Sequence, residues 1–193
     1  MEKLLFLNDC YNREISRTLR LGKNLVSLLQ SGGDYEMAEL VLKNEYVSAL
    51  TSETLNKRFE LLGKKDYENP VFDYANQFRN ADCIVIAAPY WDLGFPAILK
   101  TYIEAISIPN FAYGYGEGGR PEGLCKAEKI YYVTTRGGFI GDDKDLGYIT
   151  IASLGRFYGI KEVKCISVDG LDIPITDIEA VIDKAIADLP NQI

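Results

Sequence analysis

The sequence predicts a single doubly wound α/β domain, and three observations carry that expectation. A chain of 193 residues suits one folding unit with its own core. The run Cys83 to Ala88 (CIVIAA) is continuously apolar and rich in β-branched residues, as in a parallel strand covered on both faces. Strand-like and helix-like segments alternate along the whole length, residues 1–193, without repeats or linkers.

Each element follows in order. Lys3 to Leu7 reads as a strand that ends at Asn8 and Asp9, and Ser16 stands before a helical pattern carrying Leu19, Leu25, Val26, Leu28 and Leu29. Ser31, Gly32 and Gly33 stop that helix, and a second strand is expected across Met37 to Lys43. Thr51 to Leu62 reads as a helix ended by Gly63, and Asn69-Pro70 starts another that runs through Phe78. After the strand at Cys83 come Pro89, a helix from Pro96 to Ile106, and the stretch Phe111 to Gly123, expected to be irregular. Lys129 to Thr134 is a strand, Asp145 to Tyr158 a helix and Glu162 to Val168 a fifth strand, and Thr176 to Glu179 matches a capping box for the last helix.

Composition removes several functions. There is no histidine, so histidine-assisted hydrolysis and histidine-ligated zinc are excluded, and no metal site is expected. With 21 basic against 28 acidic side chains the net charge is -7, a poor match to nucleic acid or an anionic membrane. The four cysteines are scattered without a CxxC pair, which fits reduced thiols in a cytoplasm. No apolar run reaches the roughly 20 residues that cross a bilayer.

In such a sheet ligands sit beyond the carboxyl ends of the strands, where strand order reverses. A strand order 2-1-3-4-5 brings together the loops 8–15, 89–95 and 135–141. In the first, Ser16 and Thr18 offer hydroxyls, Arg13 and Arg17 add positive charge, and the new helix offers free N–H groups to an anion. Ser16 as a plain helix cap explains the same residues. In the second, Tyr90 and Trp91 either cover a flat ligand or pack on a helix. In the third, Gly137 and Gly138 either let backbone approach a planar ring or form a tight turn. The first loop is neither a GxxxxGK[ST] nor a GxGxxG motif. An anion site, an aromatic cover and a glycine-lined turn at one sheet edge suit a phosphorylated flat heterocycle, best flavin mononucleotide (FMN).

From KLLFLN through DCIVIAAPYWDLGFPAILKTYIEAI to YYVTTRGG, the sequence resembles the FMN-dependent NADH azoreductases and their relatives, the NAD(P)H quinone oxidoreductases of flavodoxin-like fold. The resemblance implies a flavodoxin-like, doubly wound, five-stranded parallel sheet with helices on both faces. It implies cofactor contacts at Cys10, Ser16, Arg17 and Thr18, at Pro89, Tyr90, Trp91, Asp92 and Leu93, and at Thr135, Arg136, Gly137 and Gly138. Cys10 stands where the family has serine, and Asp92 where it has asparagine. The implied reaction has two steps: NADH or NADPH delivers hydride to the flavin and leaves, then a quinone or azo acceptor takes its place. Tyr113 and Tyr115 are candidate proton donors on a loop that the family sets over the active site near a homodimer interface. Two other functions share the fold: an FMN electron shuttle of flavodoxin type, and a flavin-free descendant that binds a ligand or partner. Asp9, Cys10 and Asp92 keep the second of these open.

Overall fold

The computed structural model describes residues 1–12 and 14–193, so Arg13 lies outside the described residues. Five parallel strands form the central sheet: β1 (Glu2–Asn8), β2 (Tyr35–Val41), β3 (Cys83–Ala87), β6 (Lys129–Thr135) and β7 (Glu162–Val168). Their order is β2-β1-β3-β6-β7, which among the parallel strands is the expected 2-1-3-4-5. The reversal of winding falls between β1 and β3, whose register pairs Leu4 with Cys83 and Asn8 with Ala87.

Among the described residues, six helices cover the sheet. Helices α1 (Arg17–Gly32) and α6 (Ile178–Asp188) lie on one face, over Leu4, Phe6, Val85, Tyr131, Val133 and Ile166. Helices α3 (Asp73–Asn80), α4 (Ala97–Ile106) and α5 (Leu146–Phe157) cover the other, over Leu5, Leu7, Ile84, Ile86, Ile130 and Tyr132, and Leu61 and Leu62 of α2 (Ser52–Lys64) pack against that same core. Every residue of β3 is buried, which is why its sequence lacks alternation. Burying an isoleucine such as Ile84 stabilises the fold by roughly 1.5–3 kcal/mol.

Four local expectations need correction. The second strand begins at Tyr35 and ends at Val41, and the chain then turns into a short 3-10 segment, Leu42–Asn44. Gly63 does not end α2: the helix continues through Lys64, and Lys65 closes it in the left-handed conformation at φ 57°. Thr176 does not cap α6, because its hydroxyl donates to the Gly170 carbonyl at 3.0 Å and Asp177 accepts from the Ala180 N–H instead. The stretch 111–123 is not irregular, since β4 (Tyr113–Tyr115) and β5 (Pro121–Gly123) pair as an antiparallel hairpin.

That hairpin sits at the amino-terminal edge of the sheet. Its exit strand is held by the Cys125 N–H on the Tyr158 carbonyl at 3.2 Å and the Lys126 N–H on the Arg79 carbonyl at 2.8 Å. Both acceptors end helices, α5 and α3, that lead into the starts of β7 and β3. Glycine is required at the crossing: a Cβ on Gly123 would lie 1.8 Å from the Gly159 nitrogen.

Candidate functional site

The loop after β1 is held from both sides. Its backbone extends the β1–β3 pairing by one step, with the Asp9 N–H on the Ala87 carbonyl at 2.9 Å. Asn8 donates to Glu39 of β2 at 2.8 Å and accepts from the Cys10 N–H at 3.0 Å. The Cys10 thiol reaches the Ala87 carbonyl at 3.6 Å. Burial pushes that thiol up to about 11, so Cys10 is an uncharged, unreactive group near neutral pH.

Ser16 caps α1 by accepting from the Leu19 N–H at 3.1 Å. The cap satisfies one donor of the first turn, while the N–H groups of Arg17 and Thr18 have no intrahelical acceptor. The Arg17 guanidinium turns to the Leu171 carbonyl and the Asp172 carboxylate, both at 3.3 Å. The Thr18 and Thr135 hydroxyls share a hydrogen bond of 2.6 Å, which joins the start of α1 to the end of β6.

Asp9 stands apart from this network. It is 2% exposed, and neither carboxylate oxygen has a hydrogen-bond partner. Burial pushes its carboxyl up to about 8, so the group is neutral at pH 7.

The second loop begins at Pro89 and is tied to the third by the Tyr90 N–H on the Thr135 carbonyl at 3.3 Å. Trp91 and Gly94 exchange both backbone hydrogen bonds, at 3.1 and 2.8 Å, around Asp92 and Leu93 at φ 49° and 67°. Leucine in the left-handed region is strained, at a cost of roughly 1–2 kcal/mol. The turn holds that strain because the Leu93 carbonyl accepts from the Leu146 N–H at 3.1 Å, fixing it to the start of α5. Trp91 is not buried on a helix. It is 48% exposed and stacks on Tyr11, with ring centroids 5.3 Å apart and planes 22° from parallel.

In the third loop Arg136 is fully buried and serves the fold. Its guanidinium holds Asp142 at 2.7 Å, Asp169 at 2.8 Å and Asp145 at 2.9 Å. Burial opposes its charge, but the hydrogen bonds from Asp142, Asp169 and Asp145 overturn that effect and hold its proton above the usual arginine range. Expected among the ligand contacts, Arg136 instead has backbone and side chain committed within the chain, with its N–H on Val168 and its carbonyl taken by Leu171. Gly137 and Gly138 present their carbonyls to the N–H groups of Asp172 and Gly170, and a Cβ on Gly137 would lie 2.2 Å from the Asp172 carboxylate.

Three expected loops therefore meet at the carboxyl edge of β1, β3 and β6. Tyr113 and Tyr115 do not join them. Tyr113 packs on Phe157 at the far end of α5, with centroids 4.3 Å apart, and Tyr115 leans on Tyr113. The connection out of α4 emerges at the amino edge of the sheet, so within one chain these phenols lie at the opposite end from the loops. Tyr11 was missed, although an aromatic side chain in the first loop is visible in the sequence.

A protein-family model described as a flavodoxin-like fold matches residues 2–193. The FMN-dependent NADH:quinone oxidoreductase of Clostridium beijerinckii is 33% identical over 189 residues, 96% of this chain and 95% of that protein. This chain belongs to that flavodoxin-like family. A second FMN-dependent NADH:quinone oxidoreductase, from Clostridium perfringens strain ATCC 13124, is 31% identical over the same shares of both chains. Among solved structures, an azoreductase from Bacillus anthracis strain Sterne superimposes with a TM-score of 0.85 at 23% identity, over 99% of this chain and 98% of its own. An FMN-dependent NADH-azoreductase from Bacillus anthracis strain Ames Ancestor, solved with FMN, gives a TM-score of 0.81 at 17% identity, over 99% and 97%. At these identities the two structures establish the fold.

Proposed function

We propose that this chain is an FMN-dependent oxidoreductase that takes hydride from NADH or NADPH and reduces quinones or azo compounds. The observation that carries this reading is the meeting of three loops at one sheet edge, with unpaired first-turn N–H groups on one side and an exposed aromatic stack on the other. The residues suit the cofactor: the helix start offers donors for a phosphate, and the buried carboxyl of the first loop, Asp9, is neutral. Similarity over nearly the full length to named NADH:quinone oxidoreductases favours an enzyme over an electron shuttle.

In this reading Ser16, Arg17 and Thr18 would hold the phosphate through the helix start, with Cys10 beside it as a neutral thiol. Pro89, Tyr90, Trp91, Asp92 and Leu93 of the second loop and Thr135, Gly137 and Gly138 of the third would hold the ring. Arg136 acts through its three aspartates, fixing the loop on which the glycines stand. The flavin, when bound, supplies the two-electron chemistry, and the protein supplies position and electrostatics. Without histidine, and with Tyr113 and Tyr115 at the other end of the same chain, protons for the reduced acceptor come from water.

No described helix is long and apolar enough to cross a membrane. The enzyme acts in the cytoplasm, as a homodimer. Steady-state oxidation of NADH with a quinone tests the function: parallel double-reciprocal lines are expected from one face shared by donor and acceptor, and no FMN-dependent turnover would contradict it.

A further inference from the structure

Among the described residues, the buried and half-buried polar side chains of the first loop and the α1 start are, but for one, committed within the chain. Asn8 is held by Glu39 and the Cys10 N–H, Cys10 by the Ala87 carbonyl, Ser16 by Leu19, Arg17 by Asp172, and Thr18 by Thr135. Asp9, 2% exposed, is the exception, with both oxygens unpartnered at the root of the loop that leads into the α1 N-terminus. A buried carboxyl with no donor around it keeps its proton, and a protonated carboxyl is a hydrogen-bond donor. Serine hydroxyls fill such loops elsewhere because they donate; a neutral aspartic acid donates with a more acidic proton.

We propose that Asp9 binds the mononucleotide as an uncharged acid, donating its carboxyl proton to a phosphate oxygen, so that cofactor affinity depends on that single proton. This inference rests on the FMN reading above. Binding then requires the protonated carboxyl, because an aspartate anion would face the phosphate with like charge. The two ionisable side chains that follow Asp9 in the loop titrate above its range. Cys10 on the same loop is pushed up to about 11, and burial together with Asp9 itself raises Tyr11 above the usual tyrosine range. Glu39 of β2 is held by Asn8, Lys43 beyond β2 is bound to the Tyr11 carbonyl at 2.6 Å, and β3 meets Asp9 through the Ala87 carbonyl.

The experiment is a titration of FMN into the full chain, followed by quenching of Trp91, the only tryptophan, at pH values from about 6.5 to about 9.5. Riboflavin, which lacks the phosphate, is titrated in parallel. The carboxyl, pushed up to about 8, sets the expected profile. FMN affinity should be level below that pH and fall about tenfold per pH unit above it, while D9N binds FMN without this slope and riboflavin shows none. A level FMN profile in the wild type, the same slope in D9N, or the same slope with riboflavin would each overturn the role of Asp9 while leaving the flavin reading intact. No FMN binding at pH 6.5 in either protein would overturn both.

Discussion

At the scale of single residues the informative position is one that breaks a rule. A buried carboxyl without a partner lowers stability whenever it must ionise, and among the described residues Asp9 has no arginine beside it of the kind that Asp145 has in Arg136. The sign of the pH effect follows. The carboxyl's ordinary value is 3.8, and burial moves it to about 8 in the folded chain. Between those values the folded chain holds a proton that the unfolded chain has released, so stability falls as pH rises through the window and the contribution is gone above about 8. A displacement of that size corresponds to an upper bound on the order of 5 kcal/mol. Urea unfolding of the flavin-free chain and of D9N checks this: D9N should be the more stable at pH 8.5, with the difference vanishing near pH 4. Equal pH dependence in the two proteins would mean that Asp9 is not the group responsible.

At the scale of elements, legibility followed local physics. The strand at Cys83 was readable because burial on both faces forces an unbroken apolar run, and α1 because its apolar residues recur at helical spacing after a serine cap. The hairpin at Tyr113 was hidden because its strands have three residues each and are built partly of glycine, leaving no alternation to read. The end of α2 was misplaced because Leu61 and Leu62 anchor the helix past Gly63, and packing outweighs a propensity penalty of about 1 kcal/mol. The docking of the hairpin at the amino edge gives a direct test. In G123A the new methyl group overlaps the Gly159 backbone, so a loss of about 1–3 kcal/mol is expected in chemical unfolding. Unchanged stability would show that the hairpin is not seated as described.

At the scale of the whole molecule, the sequence revealed which three loops meet at the carboxyl edge but not how they are fastened. Thr18 and Thr135 are 117 positions apart, and Arg136 draws on Asp142 and Asp145 before α5 and on Asp169 after β7; no local pattern announces such pairs. The same holds for the expected dimer. Leu93, Leu146 and Ile149 are exposed and adjacent at the carboxyl edge, next to the site, and covering such a patch with a second copy removes apolar surface from water. Light scattering at micromolar concentration should give twice the chain mass for the wild type and the chain mass for L146E/I149D, whereas a monomeric wild type would refute the dimer. The account as a whole rests on one cofactor in one place. Equilibrium titration of FMN with the flavin-free chain, read by Trp91 fluorescence and by flavin absorbance together, is therefore its most direct test: one FMN per chain with quenching of Trp91 is expected, and either no retained flavin or retention that leaves Trp91 unquenched would contradict it.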